Sequence, residues 1–322
     1  MKKWRKRDAL GLIAVLLLVL VFLYSGTQLL EHSLRPEETP QQRSSKTVTV
    51  DGVKYFPRQD ISVFLLMGID RTGPVEASNS YNNDGEADTV ILLIFDQTAE
   101  EITVLNLNRD AMVEMPVLGI GGRQAGTAFG QLALAHTYGS GMEDSCENLQ
   151  KTVCDLLGGI SIDQYVAVNM DAIALLNDAV GGVTVTVSDD FGDVLPMGEV
   201  TLQGQQAVDF VRIRKDVGDQ KNVSRMVRQS MYMEGFLSAL QDALSADSSL
   251  PVEMYEAVSP YMVTDCSSTV FSSAMERYRD FSLREIVTLE GENVRGPEFM
   301  EFYLDEDALQ RDVLRLFYAP KG

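Results

Sequence analysis

Only two histidines, His32 and His136, and three cysteines, Cys146, Cys154 and Cys266, occur in the 322 residues. With so few imidazoles, a histidine-built zinc centre or a Ser-His-Asp triad has almost no material to work with. Any catalysis must rest on carboxylates, arginines and a hard cation. Three cysteines cannot all pair within one chain. Cys146 and Cys154 stand eight apart on an expected helix, about 12 Å of rise, too far for a bridge within it. Buried thiols are therefore the expected state. Basic charge is scarce as well: 27 Lys and Arg face 47 Asp and Glu, a net charge of −20. Such a surface repels nucleic acid, and no nucleic-acid partner is expected. An anion can be held only by a local arginine cluster or through a metal. No internal repeat is visible.

What basic charge there is begins at the N-terminus. Lys2, Lys3, Arg5, Lys6 and Arg7 precede an apolar run that starts at Ala9 and fades out by Leu30, a stretch of 22 residues. At about 1.5 Å per residue this spans a hydrocarbon core of roughly 30 Å. Basic residues before the run and none just after it put residues 1–8 in the cytoplasm and everything after 30 outside it. Ser25-Gly26-Thr27-Gln28 is a poor match to a small-residue cleavage site, so 9–30 reads as a retained transmembrane anchor in the cell membrane. Residues 31–52 are polar, contain two prolines and lack periodicity, and read as a linker.

Beyond the linker, strand and helix signals alternate. Continuous apolar runs at 63–68 and 90–95 are expected as buried strands, and 102–108 alternates as a third. Helices are expected at 147–157, 171–180, 205–212 and 222–244, with strands at 165–168 and 183–187. Further helices are expected at 252–261, 268–278 and 305–318, with a strand at 285–289. This alternation argues an α/β layered fold around an internal sheet. The expected division is a core at 53–245 and a C-terminal α/β extension at 246–322 packed on the same domain.

Polar residues gather at strand ends, where α/β sheets place their ligands. Asp70 and Arg71 follow the first strand, Asp88 enters the second, and Arg109 and Asp110 follow the third. Two carboxylates flanking one sheet edge suit Mg²⁺ shared with phosphate oxygens, or equally serve as loop caps. A fourth patch places Arg212, Arg214, Arg225 and Arg228 within 17 residues, with Gln229 beside them. Arg225, Arg228 and Gln229 share a face near a helix N-terminus, and Arg212 and Arg214 point one way if their segment is extended. Converging guanidinium forks suit phosphate or diphosphate.

These patches together resemble the LytR-CpsA-Psr (LCP) family of cell-envelope glycopolymer transferases. The resemblance runs, in order, through LLMGID at 65–70, ADT at 87–89, NRDA at 108–111, the block at 162–187, GQQAVDFVRIR at 204–214 and RMVRQ at 225–229. It covers about residues 60–235. Three departures stand out: Glu86 where the family often has arginine, Asn108 and Ala111 where it has proline and threonine, and Asn222 where it often has aspartate.

The resemblance implies a layered α-β-α domain with a mixed central sheet behind one N-terminal transmembrane helix. It implies a phosphotransferase that moves a secondary or anionic glycopolymer, such as teichoic acid or capsular polysaccharide, from an undecaprenyl-diphosphate carrier to peptidoglycan. Asp70 and Asp88 would be the Mg²⁺ (or Mn²⁺) ligands and, with Arg109, the catalytic groups. Arg71, Arg109, Arg212, Arg214, Arg225, Arg228 and Gln229 would hold the diphosphate. The segments VAVNM and AIALLNDAV, at 166–170 and 172–180, are candidates to line a slot for the lipid chain, against ordinary core packing. Alternative readings are a non-catalytic anchored module that binds lipid diphosphate or wall glycan, and a polyprenyl-diphosphate hydrolase. On the phosphate reading, replacing Arg225 and Arg228 with alanine abolishes binding and leaves thermal unfolding nearly unchanged.

Overall fold

The computed structural model describes residues 47–119, 122–213, 228, 231–232, 235–236, 238–240, 242–243, 246–247, 250–267, 270, 277–278, 281–297 and 299–320. The expected anchor at 9–30, most of the linker, Asn222, Arg214, Arg225 and Gln229 lie outside these residues. Among the described residues no helix is long and apolar enough to cross a membrane.

The strands in chain order are β1 Val48–Val50, β2 Val53–Pro57, β3 Ile61–Ile69, β4 Ala87–Asp96, β5 Glu101–Leu107, β6 Met112–Leu118, β7 Gln124–Gln131 and β8 Gln164–Asn169. They continue with β9 Val183–Val187, β10 Gly198–Leu202, β11 Met262–Thr264, β12 Ser282–Thr288, β13 Gly291–Arg295, β14 Met300–Leu304 and β15 Tyr318–Pro320. The helices are α1 Glu143–Leu156, α2 Asp171–Ala179, α3 Gln205–Arg212, α4 Leu250–Val258 and α5 Glu306–Phe317. Described residues between Arg228 and Ala246 are also helical.

Six strands form the central sheet in the order β11-β8-β3-β4-β5-β12. Strands β3, β4 and β5 pair antiparallel, whereas β8 runs parallel to β3 and β12 parallel to β5. The sheet is therefore mixed. Its central strands read as unbroken apolar runs because both faces are covered. Phe64, Leu66, Ile91, Leu93 and Phe95 point to one side, where α2, α3 and α4 pack together with Tyr232, Phe236 and Leu240. Val63, Leu65, Met67, Val90, Leu92 and Ile94 point to the other, against α1 and α5. The period of two along each strand thus separates two cores, giving an α-β-α arrangement.

Two boundaries differ from expectation. Val48–Val50, inside the expected linker, is a strand: β1 pairs with β2, which pairs in turn with the C-terminal β15. The two ends of the described chain therefore meet in one small sheet. Secondly, residues after 246 are more than an appendage, because β11 and β12 supply both edges of the central sheet. Hairpins β6–β7, β9–β10 and β13–β14 complete the strand set.

All three cysteines are free, Cys146 and Cys266 buried and Cys154 half-buried. Burial raises each thiol above its ordinary range, with nearby carboxylates adding to the effect. None is poised as a nucleophile.

Candidate active site

The pairing directions decide which residues meet. Because β3 and β4 are antiparallel, the end of β3 lies beside the start of β4: Ile69 is opposite Ala87, and the Asp70 amide donates to the Glu86 carbonyl at 2.9 Å. A register shift just after Gly68 leaves Asp88 at the irregular step. The approach there is tight, since a methyl group on Gly68 would sit 3.1 Å from Thr89 Cβ. β5 is antiparallel to β4 in turn, with Leu107 opposite Val90. Asp70, Asp88 and Arg109 therefore come together at one end of the central strands, the place expected of strand-end polar groups.

Arg109 is aimed by a turn. The Asn108 side chain accepts from the Asp110 amide at 3.0 Å, and its carbonyl accepts from the Ala111 amide at 2.9 Å. Asparagine thus closes the turn through its own side chain. The Arg109 carbonyl accepts from the Ala133 amide at 3.0 Å, and the Asp110 carbonyl from the Phe302 amide at 2.9 Å. Gln131 donates to the Asp110 carboxylate at 3.0 Å and to the Met300 carbonyl at 2.9 Å. The C-terminal hairpin therefore buttresses the turn that presents Arg109, a role the sequence did not signal.

The guanidinium of Arg109 sits among three carboxylates. It pairs with Glu86 at 2.8 Å, with Asp88, and with Asp110 at 3.4 Å. Asp88 Oδ1 is closed off from solvent, and its contact with Arg109 is ionic, without hydrogen-bond geometry. On the α3 side, Arg212 reaches Asp70 at 2.9 Å. Arg212 is the last residue of helix α3, and Arg214 lies outside the described residues.

Two expected phosphate ligands, Arg228 and Arg71, make other contacts. Arg228 is 4% exposed. Its Nε donates to the Phe210 carbonyl at 2.9 Å, one terminal nitrogen to Ile213 O at 2.5 Å and the other to Asp189 at 2.5 Å, while its plane lies 5.2 Å from the Phe191 ring centre. Each of the three guanidinium nitrogens thus has a partner. Arg228 ties the C-terminus of α3 to the β9–β10 region and is a structural clamp, which sequence spacing alone does not separate from a ligand. Arg71 turns into a different cavity of about 130 Å³, walled by Ile69, Val75, Ala167, Asn169, Val263 and His136. Ile69, Ala167 and Val263 belong to the core on the α1 side, opposite α3.

His136 is buried there. Its Nδ1 donates to the Gly85 carbonyl at 2.7 Å, and the Cys146 thiol lies 3.9 Å from Nε2. Burial, reinforced by the Arg71 charge, pulls its pKa down to about 4, against the opposing pull of the Gly85 carbonyl and Asp144. A neutral imidazole so placed braces the approach to β4. It does not line the Asp88–Arg109 cluster.

Among the described residues no group of three or more His, Cys, Asp and Glu side chains is set to hold a metal. Asp70 and Asp88 each already face an arginine. Mg²⁺ takes one or two carboxylates and completes its shell with water and phosphate oxygens. Two carboxylates alone do not form a closed protein cage, and an ion at them would need phosphate oxygens and water to complete its shell.

The family model for LytR_cpsA_psr matches residues 23–311. The chain belongs to the LytR-CpsA-Psr family. It is 27% identical over 252 residues to the polyisoprenyl-teichoic acid–peptidoglycan teichoic acid transferase TagU of Oceanobacillus iheyensis, covering 75% of this chain and 71% of that one. It is 30% identical to the Enterococcus faecalis protein of the same name, covering 83% of this chain and 81% of that one. Biofilm regulatory protein A of Streptococcus mutans is 31% identical, with 70% of this chain and 57% of that one aligned. Among solved structures, a Streptococcus agalactiae protein superposes with a TM-score of 0.61 at 24% identity, over 80% of this chain and 87% of that one. TagT bound to LI-WTA superposes with a TM-score of 0.53 at 23% identity, over 80% and 90% of the two chains. These similarities establish the LCP-type fold for this chain.

Proposed function

We propose that this LCP protein is a membrane-anchored phosphotransferase that moves a secondary or anionic glycopolymer from an undecaprenyl-diphosphate carrier to peptidoglycan. The observation that supports the reading best is that the Asp70–Arg212 and Asp88–Arg109 pairs lie at the same end of the central strands. Guanidinium groups there suit a diphosphate, and adjacent carboxylates suit the cation that accompanies it. The relatives named as teichoic acid transferases favour the same reaction class. The basic N-terminus and the apolar run at 9–30 support an anchor in the cell membrane, which would hold the site near a lipid-linked donor.

In this reading a sugar hydroxyl of the acceptor attacks the phosphorus on the polymer side of the diphosphate. A new O–P bond forms, the bond from that phosphorus to the bridging oxygen breaks, and polyprenyl phosphate leaves. The product is a phosphodiester. Asp88 or Asp70 takes the hydroxyl proton. Arg109 and Arg212 turn from their carboxylates towards the phosphates and neutralise charge on the leaving group. Arg214, Arg225 and Gln229 belong to the same diphosphate set by family resemblance. Asp70 and Asp88 would hold Mg²⁺ or Mn²⁺, which when bound supplies Lewis-acid stabilisation of the phosphoryl oxygens.

The test uses the full chain in detergent with a short-chain polyprenyl-diphosphate sugar, Mg²⁺ and wall glycan. Wild type is expected to release polyprenyl phosphate and to form phosphodiester-linked glycan, and Asp88→Ala to lose both. Binding without release by the wild type, unchanged by added wall glycan, would refute a transferase.

A further inference from the structure

Among the described residues, the ion pairs around Arg109 are unbalanced. Four carboxylates, Asp70, Glu86, Asp88 and Asp110, face two guanidinium groups, Arg109 and Arg212, in the described ion pairs. Three of the four converge on Arg109 alone. Asp110 is committed elsewhere, since its carboxylate accepts from Gln131 and its carbonyl from Phe302. Asp88 lies inward, with one oxygen closed off from solvent. Glu86 differs from both. Its side chain is 42% exposed, and apart from Arg109 the described ion pairs and side-chain hydrogen bonds give its carboxylate no partner. It accepts from a terminal nitrogen of the Arg109 guanidinium at 2.8 Å, a donor that a phosphate oxygen would also use.

We propose that Glu86 is a competing carboxylate: it occupies the outer edge of the Arg109 fork, and a diphosphate must displace it to bind. This deepens the reading given above and rests on it. The physical consequence concerns order and specificity. A bare diphosphate brings at least two negative charges towards the Glu86 carboxylate, and repulsion between them opposes its entry. A diphosphate that arrives with a divalent cation brings less net charge and gives the released carboxylate a favourable neighbour. Glu86 thereby makes the site discriminate between free and cation-complexed diphosphate, a form of specificity built from a repulsive element. It acts through Arg109 and is a positioning residue; it does no chemistry on the phosphate.

Binding reads this directly, without turnover. The full chain in detergent is titrated with farnesyl diphosphate by calorimetry, in EDTA and then in MgCl₂, for wild type and Glu86→Gln. The amide keeps the size of the side chain and removes its charge. In EDTA the variant is expected to bind roughly fivefold more tightly, the order of one partly exposed ion pair. In MgCl₂ the two are expected to converge, so that the gain in affinity from magnesium is smaller in the variant. Arg109→Gln on the Glu86→Gln background is expected to abolish the gain in EDTA. Equal affinities of wild type and Glu86→Gln in EDTA, or weaker binding by the variant, overturn the competing role while leaving the phosphotransferase reading intact. Absence of binding by either protein in both buffers overturns the two together.

Discussion

Arg212, the last residue of α3, reaches back across the end of the central strands to Asp70, the first residue beyond β3, at 2.9 Å. The pair joins the helical layer to the strand end. Both side chains are close to half exposed, at 42% and 45%. An exposed pair of this kind contributes under about 1 kcal/mol to stability, because water and salt screen it and two side chains must be ordered. It is therefore easily exchanged for a phosphate. Arg212→Gln is expected to move the unfolding temperature by no more than about 2–4 °C and to weaken binding of farnesyl diphosphate with MgCl₂ by at least roughly tenfold, the order of a charge-assisted hydrogen bond. Unchanged affinity in calorimetry would remove Arg212 from the diphosphate site.

Arg228 should behave in the opposite way. It is buried, and its three donor groups serve Phe210, Ile213 and Asp189. Arg228→Ala leaves two carbonyls and the Asp189 carboxylate without their donor, and the expected cost is about 3–5 kcal/mol. Arg228→Lys recovers only part of this, because an ammonium cannot reproduce the planar fork. Urea unfolding of the three proteins checks the order. A stability change below about 1 kcal/mol in Arg228→Ala would contradict the clamp. This runs against the expectation that replacing Arg225 and Arg228 together with alanine leaves thermal unfolding nearly unchanged.

His136 links stability to pH. Its folded-state pKa is depressed to about 4, chiefly by burial. The unfolded imidazole takes a proton near pH 6.5, so between these values the unfolded state binds more protons than the folded one. Stability is full above the unfolded value and falls as pH drops through that window, by about 3 kcal/mol for the whole interval. His136→Gln, which cannot charge, is expected to lose less stability than wild type between pH 7 and pH 4.5. Identical slopes in urea unfolding across that range would show that the imidazole does not titrate as its surroundings require.

Much of the fold is legible in the chain itself. The runs at 63–68 and 90–95 are apolar throughout, and only a strand covered on both faces needs that. Helix 205–212 falls where expected. Strands β7 and β13 escaped because they carry no apolar alternation; β13 is exposed throughout and β7 largely so. The role of the C-terminal hairpin under the Arg109 turn depends on Phe302 meeting Asp110, a contact 192 residues apart that no local pattern announces.

The order of residues alone is enough for a layered α/β core, for Asp70, Asp88 and Arg109 at the ends of its strands, and for membership of the LCP proteins. Local periodicity and strand-end chemistry carry that information. How the charges are shared comes only from the three-dimensional packing. Arg212 and Arg228 are alike in type and close in sequence, yet one lies half-exposed against Asp70 and the other is buried against backbone carbonyls. Glu86, a departure from the family pattern when read along the chain, becomes the outer partner of Arg109 only once antiparallel β4 and β5 bring the two together. Which side chains meet at the end of the central strands follows from strand order and register, and these are set by the packing of the whole domain.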